Sequence, residues 1–83
     1  MKNILVIDDE IDICNNIKAI LTDEGFNIQV AHNSDDAFNY INKHSYNLII
    51  LDVWLDNSKY DGLEILKQIR KNLTIPVIII SGH

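Results

Sequence analysis

Short apolar runs alternate with stretches of helical period along this chain. Ile4-Leu5-Val6-Ile7 and Leu48-Ile49-Ile50-Leu51 are continuously apolar, as strands buried on both faces are, and Val77-Ile78-Ile79-Ile80 is a further run of that kind. Ile28-Gln29-Val30-Ala31 alternates, which predicts a strand less deeply covered. Between the runs the period lengthens. Ile13, Ile17, Ile20 and Leu21 form a stripe that predicts a first helix, stopped by Gly25. Ser34 is the expected N-cap of a second helix, with Asp35 and Asp36 in its first turn and Ala37, Tyr40 and Ile41 on its inner face. Leu63, Leu66 and Ile69 predict a third helix starting near Gly62, and Ile75-Pro76 leads into the last strand because the residue before proline is pushed towards extended backbone.

The order βαβαβαβ with short connections predicts an α/β fold: a doubly wound parallel sheet with helices on both faces. In the flavodoxin-like strand order 2-1-3-4, the first and third strands are neighbours at the topological switch point, where ligands bind beyond the strand ends. Each of those two strands ends in acid. Asp8 and Asp9 follow the first run and Asp52 the third, so three carboxylates are expected in one crevice. Such a cluster raises the pKa of some members and is relieved by a hard divalent cation such as Mg²⁺ or Mn²⁺, which makes the strand ends a metal and phosphoryl site.

Composition narrows the classes. The chain has 83 residues, 47% of them hydrophobic and 23% charged, which fits one small globular domain. A net charge of −5 argues against contact with nucleic acid or an anionic membrane surface. No apolar stretch has the length of a signal peptide or a membrane span, so the expected location is cytoplasmic. The single cysteine, Cys14, fits a reducing compartment and lacks a basic neighbour that would activate it. His32, His44 and His83 share no ligand spacing and are expected as exposed loop or helix-end residues, Glu10 as a solvent-facing first-turn acid, and Tyr60 over the rim of the site.

Asp8-Asp9-Glu10 after the first strand, Asp52 after the third, Asp61-Gly62 opening the third helix and the terminal Ile75-Pro76-Val77-Ile78-Ile79-Ile80-Ser81-Gly82 occur together in order and spacing. In this the whole chain resembles the receiver domain of bacterial two-component response regulators, a CheY-like fold. The long loop from Asp52 to Gly62 and the ending Ser81-Gly82-His83 look most like the NtrX-type nitrogen-regulation regulators.

The resemblance implies Asp52 as phosphoryl acceptor, Asp9 as a direct Mg²⁺ ligand, Asp8 acting on the metal through water, and the Trp54 carbonyl as a further ligand. It implies that Ser81 and Gly82 contact the phosphoryl group, that the donor is a sensor histidine kinase, and that the output is transcription regulation. Such a module is a self-catalysed phosphoacceptor rather than an enzyme. The family continues with a fourth helix, a fifth strand ending in a lysine, and a fifth helix, so residues 1–83 are expected to be the N-terminal part of a receiver truncated after strand four. Lys59 and Lys67 end no strand and do not replace that lysine. An open edge on the fourth strand, rich in β-branched residues, predicts self-association. Two alternatives stand beside this reading: a Mg²⁺-dependent phosphohydrolase with an aspartate nucleophile, though such enzymes favour Asp-x-Asp and Asp8 and Asp9 are adjacent, and an interaction module that is not phosphorylated.

Overall fold

A computed structural model describes residues 2–80. The elements are β1 (Asn3–Ile7), α1 (Ile11–Asp23), β2 (Asn27–Ala31), α2 (Ser34–Lys43), β3 (Leu48–Asp52), α3 (Gly62–Arg70) and β4 (Val77–Ile80). The strands form one parallel sheet in the order β2-β1-β3-β4, as the sequence pattern predicts. Ile7 is level with Leu51 across β1 and β3, so Asp8 and Asp52 leave the sheet side by side.

Alternate residues of the apolar runs supply the two faces. Leu5, Ile7, Ile49 and Leu51 pack with Ala37 of α2 and with Ile65 and Ile69 of α3. Ile4, Val6 and Ile28 pack on the opposite face with Cys14 of α1, and Ile17, Leu21 and Phe26 lie against them. Two positions expected on inner stripes lie outside: Ile20 is 64% exposed and Leu63 51%. In α1 the inner row runs Cys14-Ile17-Leu21, and in α3 it runs Gly62-Ile65-Ile69. Both rows follow the i, i+3, i+7 spacing of one helical face, and Ile20 and Leu63 fall on its outer flanks.

Each helix end has a local cause. Gly25 has φ +94°, its N–H donates to the Thr22 carbonyl (3.0 Å) and that of Phe26 to the Leu21 carbonyl (3.1 Å). This is a Schellman ending, with Phe26 and Leu21 in the same apolar cluster. At α2 the N-cap is Asn33 rather than Ser34, because the Asn33 side chain accepts the Asp36 N–H at 2.9 Å while the Ser34 hydroxyl is engaged elsewhere. Asp61 caps α3 by accepting the Glu64 N–H at 2.9 Å. Gly62 is obligatory by space, since a Cβ there would lie 2.7 Å from the Val53 Cα and collide with the Asp52 carbonyl. No helix among the described residues is long and apolar enough to cross a membrane.

Candidate functional site

The three aspartates converge as expected: Asp8, Asp9 and Asp52 each offer an oxygen, and these lie within 4.8 Å of one another. Asp8 and Asp52 are almost wholly buried, whereas Asp9 is half-buried. Backbone N–H groups fix one oxygen of each. Asp8 Oδ1 accepts from Glu10 (2.9 Å), Asp52 Oδ1 from Trp54 (3.2 Å) and Asp9 Oδ2 from Asp56 (3.1 Å). Asp9 Oδ1 is buried and has no hydrogen-bond partner among the described residues.

That arrangement has an electrostatic cost. Burial pushes the Asp8 carboxyl above its usual range, opposed by the Glu10 N–H and reinforced by the charges of Asp52, Asp9 and Glu10. The donor set suits a hard cation: Mg²⁺ binds oxygen at 2.0–2.1 Å, which puts opposite ligands about 4.2 Å apart. The spacing of the cluster and the unpartnered Asp9 oxygen therefore fit a divalent ion, with part of its shell left to water.

Beneath the pocket the Asp8 carbonyl receives two side chains. The Cys14 thiol donates to it at 3.2 Å, and His32 Nδ1 lies 3.0 Å away. A ring nitrogen facing a carbonyl is a donor, so Nδ1 carries the proton. His32 is thus half-buried and hydrogen-bonded rather than merely exposed, a correction to the sequence expectation, whereas His44 is exposed at the end of α2. Burial and the neighbouring carboxylates push the Cys14 thiol up to about 11, which keeps it protonated and unreactive.

The remaining expected residues divide. The Trp54 backbone is at the site through its N–H to Asp52, while its side chain is 60% exposed. Glu10 is exposed as expected. Lys59 sits over the Tyr60 ring, 5.4 Å from its centre, and Lys67 pairs with Glu64 at 3.9 Å. Tyr60 itself packs edge to face on Phe38, with ring centres 6.2 Å apart. Ser81, Gly82 and His83 lie outside the described residues. Sequence reasoning missed the roles of His32, Ser34, Ser58 and the Asp56 N–H, since no spacing rule joins polar groups from separate loops.

The chain matches the response regulator receiver domain family over residues 4–83 and belongs to it. It is 51% identical to an NtrX-like response regulator of Rickettsia bellii over 98% of the chain and 17% of that protein. It is 45% identical to the nitrogen assimilation regulatory protein NtrX of Azorhizobium caulinodans, over 98% of the chain and 18% of that protein. The chain thus spans under a fifth of the length of these two relatives. Among solved structures it resembles the receiver domain of NtrX from Brucella abortus, with TM-score 0.92 and 44% identity, over 96% of this chain and 68% of that one. It also resembles the response regulator TrrA of Thermotoga maritima in complex with Mg²⁺ and BeF, with TM-score 0.89 and 34% identity, over all of this chain and 71% of that one. The phosphohydrolase alternative gains no support from these likenesses.

Proposed function

We propose that Asp52 is the phosphoryl acceptor of a two-component signalling pathway. A carboxylate oxygen of Asp52 attacks the phosphorus of a phosphohistidine on a sensor histidine kinase, the P–N bond breaks, and an aspartyl phosphate forms. The observation that carries this reading is the meeting of three carboxylates within 4.8 Å, with one buried Asp9 oxygen lacking a partner. Asp9 and Asp52 would hold Mg²⁺ or Mn²⁺ directly with the Trp54 carbonyl, and Asp8 would act on it through water. An ion held there would supply positive charge against the transferring oxygens. The Trp54 N–H orients the Asp52 carboxylate, and the Glu10 N–H holds Asp8. The family resemblance assigns the phosphoryl contact to Ser81 and Gly82, which follow β4 in the sequence. The output is transcription regulation, the setting is cytoplasmic, and both phosphorylation and its reversal are self-catalysed.

Mass spectrometry after incubation with acetyl phosphate and Mg²⁺ tests the assignment. Asp52→Asn should lose the added phosphoryl mass while keeping its circular dichroism; wild-type labelling in that variant would overturn it. Asp9→Ala should lose the response of Trp54 fluorescence to Mg²⁺.

A second reading concerns assembly. Ile78 and Ile79 on β4 are 51% and 43% exposed, and alternate strand residues point to opposite faces, so β4 presents apolar surface on both. This favours association of two copies of the chain through β4. Light scattering over a concentration series should show a mass that rises with concentration and falls in Ile79→Lys; a monomer at all concentrations sinks the idea.

A further inference from the structure

Residues 53–61, between β3 and α3, form a loop whose ends are clasped by the Gly62 N–H on the Val53 carbonyl at 3.0 Å. Its far side is tied to the start of α2. The Ser34 N–H donates to Ser58 Oγ (2.8 Å), the Ser58 hydroxyl donates to the Tyr60 carbonyl (2.7 Å), and the Tyr60 N–H donates to Ser34 Oγ (3.2 Å). Ser34 is fully buried, and its N–H is one of the donors that a helix start leaves without an intrahelical partner. Two serines and one backbone segment thus close a ring of hydrogen bonds. Between this ring and the strand end, Asp56 and Asn57 form a turn in which Asn57 has φ +54°. The turn delivers the Asp56 N–H to Asp9 Oδ2.

We infer that Ser34 and Ser58 are positioning residues for the metal pocket: they fix the loop so that the Asp56 N–H holds Asp9 Oδ2 and presents Asp9 Oδ1 as the ligating oxygen. The inference rests on the metal reading above and deepens it. Without the N–H, the Asp9 carboxylate turns freely about its last side-chain bond and the ion must order it on binding. Partners that orient a ligating group without touching the metal are typically worth about 10- to 100-fold in metal affinity.

Four variants separate this role from loop stability. Asp56→Pro removes the N–H at a turn position outside the positive-φ region, while Asp56→Ala removes the same side chain and keeps the donor. Ser58→Ala breaks the serine ring, and Ser58→Thr keeps a hydroxyl. Mg²⁺ affinity is read by nuclear magnetic resonance titration of backbone amides, with melting temperature measured in parallel. Asp56→Pro and Ser58→Ala should bind Mg²⁺ about tenfold more weakly than Asp56→Ala and Ser58→Thr respectively. In metal-free Ser58→Ala, the Asp56 amide should exchange with solvent faster than in wild type. Equal affinities within both pairs overturn the inference even if melting temperatures fall, because a merely structural ring would lower stability alone. If Ser58→Ala does not fold, the Asp56 pair decides. A wild-type protein that shows no Mg²⁺ response overturns the metal reading itself, and this inference with it.

Discussion

The two faces of the sheet are built from alternate residues of the same strands, yet they are sealed to different degrees. On the face of α2 and α3, Leu5, Ile7, Ile49 and Leu51 meet the fully buried Ala37 and Ile65. On the face of α1, the one buried side chain that the helix contributes is Cys14, and Ile17, Leu21 and Ile50 are only partly covered. An open groove of about 310 Å³ runs there along the sheet past Leu48, Ile50 and Ile78, whereas the larger cavity of the other side, about 530 Å³, lies between α2 and α3 beside Phe38, Ile41 and Leu73 and is lined by no strand residue. Apolar alternation in a strand says that both faces want cover. The helix packed on each face decides how much they receive.

The largest effect should come from breaking the sealed face. Ile65→Ala should cost about 4 kcal/mol in urea unfolding, as deletion of a fully buried aliphatic side chain does, whereas Ile17→Ala on the open face should cost about 1.5 kcal/mol. Equal costs would erase the distinction between the faces. Gly62→Ala follows at about 3 kcal/mol, because the added Cβ meets backbone at Val53 and Asp52 that yields only by moving the end of β3. That variant should also lose acetyl phosphate labelling in proportion greater than its loss of folded protein.

Asp8 sharpens the contrast by charge. Its folded pKa lies above the unfolded 3.8, so the folded state binds the proton more tightly. Its favourable contribution is therefore present below the unfolded value and is lost as pH rises through the folded one. Metal-free Asp8→Asn should melt higher than wild type at neutral pH, lose that advantage in acid, and gain less from added Mg²⁺. The smallest effect is expected at Ile20, 64% exposed on the outer flank of α1, where Ile20→Gln should change stability by less than about 0.5 kcal/mol. A larger loss would mean that Ile20 is covered in solution.

The strands, their order and the meeting of Asp8, Asp9 and Asp52 were legible in the sequence, because continuous apolar runs ending in acid leave few arrangements for a parallel sheet. The helix faces were legible only in part. Isoleucine and leucine mark a stripe by hydropathy, but small Cys14 and Gly62 occupy the closest approaches, which shifts the inner rows away from Ile20 and Leu63. The serine ring joins positions 24 and 26 residues apart through single hydroxyls, and such contacts leave no periodic trace. Asn33 displaced Ser34 as the α2 cap for the same reason: a distant loop had claimed the serine.

The strand order also has a kinetic side. Asn3, at the start of β1, is bonded to Asn27 and to Asn47, which lie 24 and 44 residues further along the chain. No strand here pairs with a neighbour across a tight turn, so each ladder waits for a crossover to close, and non-local pairing of this kind slows folding. β1 precedes the other described strands in the chain, and its pairing with β3 requires the widest closure among the three ladders. The pocket between Asp8 and Asp52 comes into being only with that closure. An unfolded or half-made chain therefore has its acids but not their convergence, and the proposed capture of an ion would be coupled to the pairing of β1 with β3.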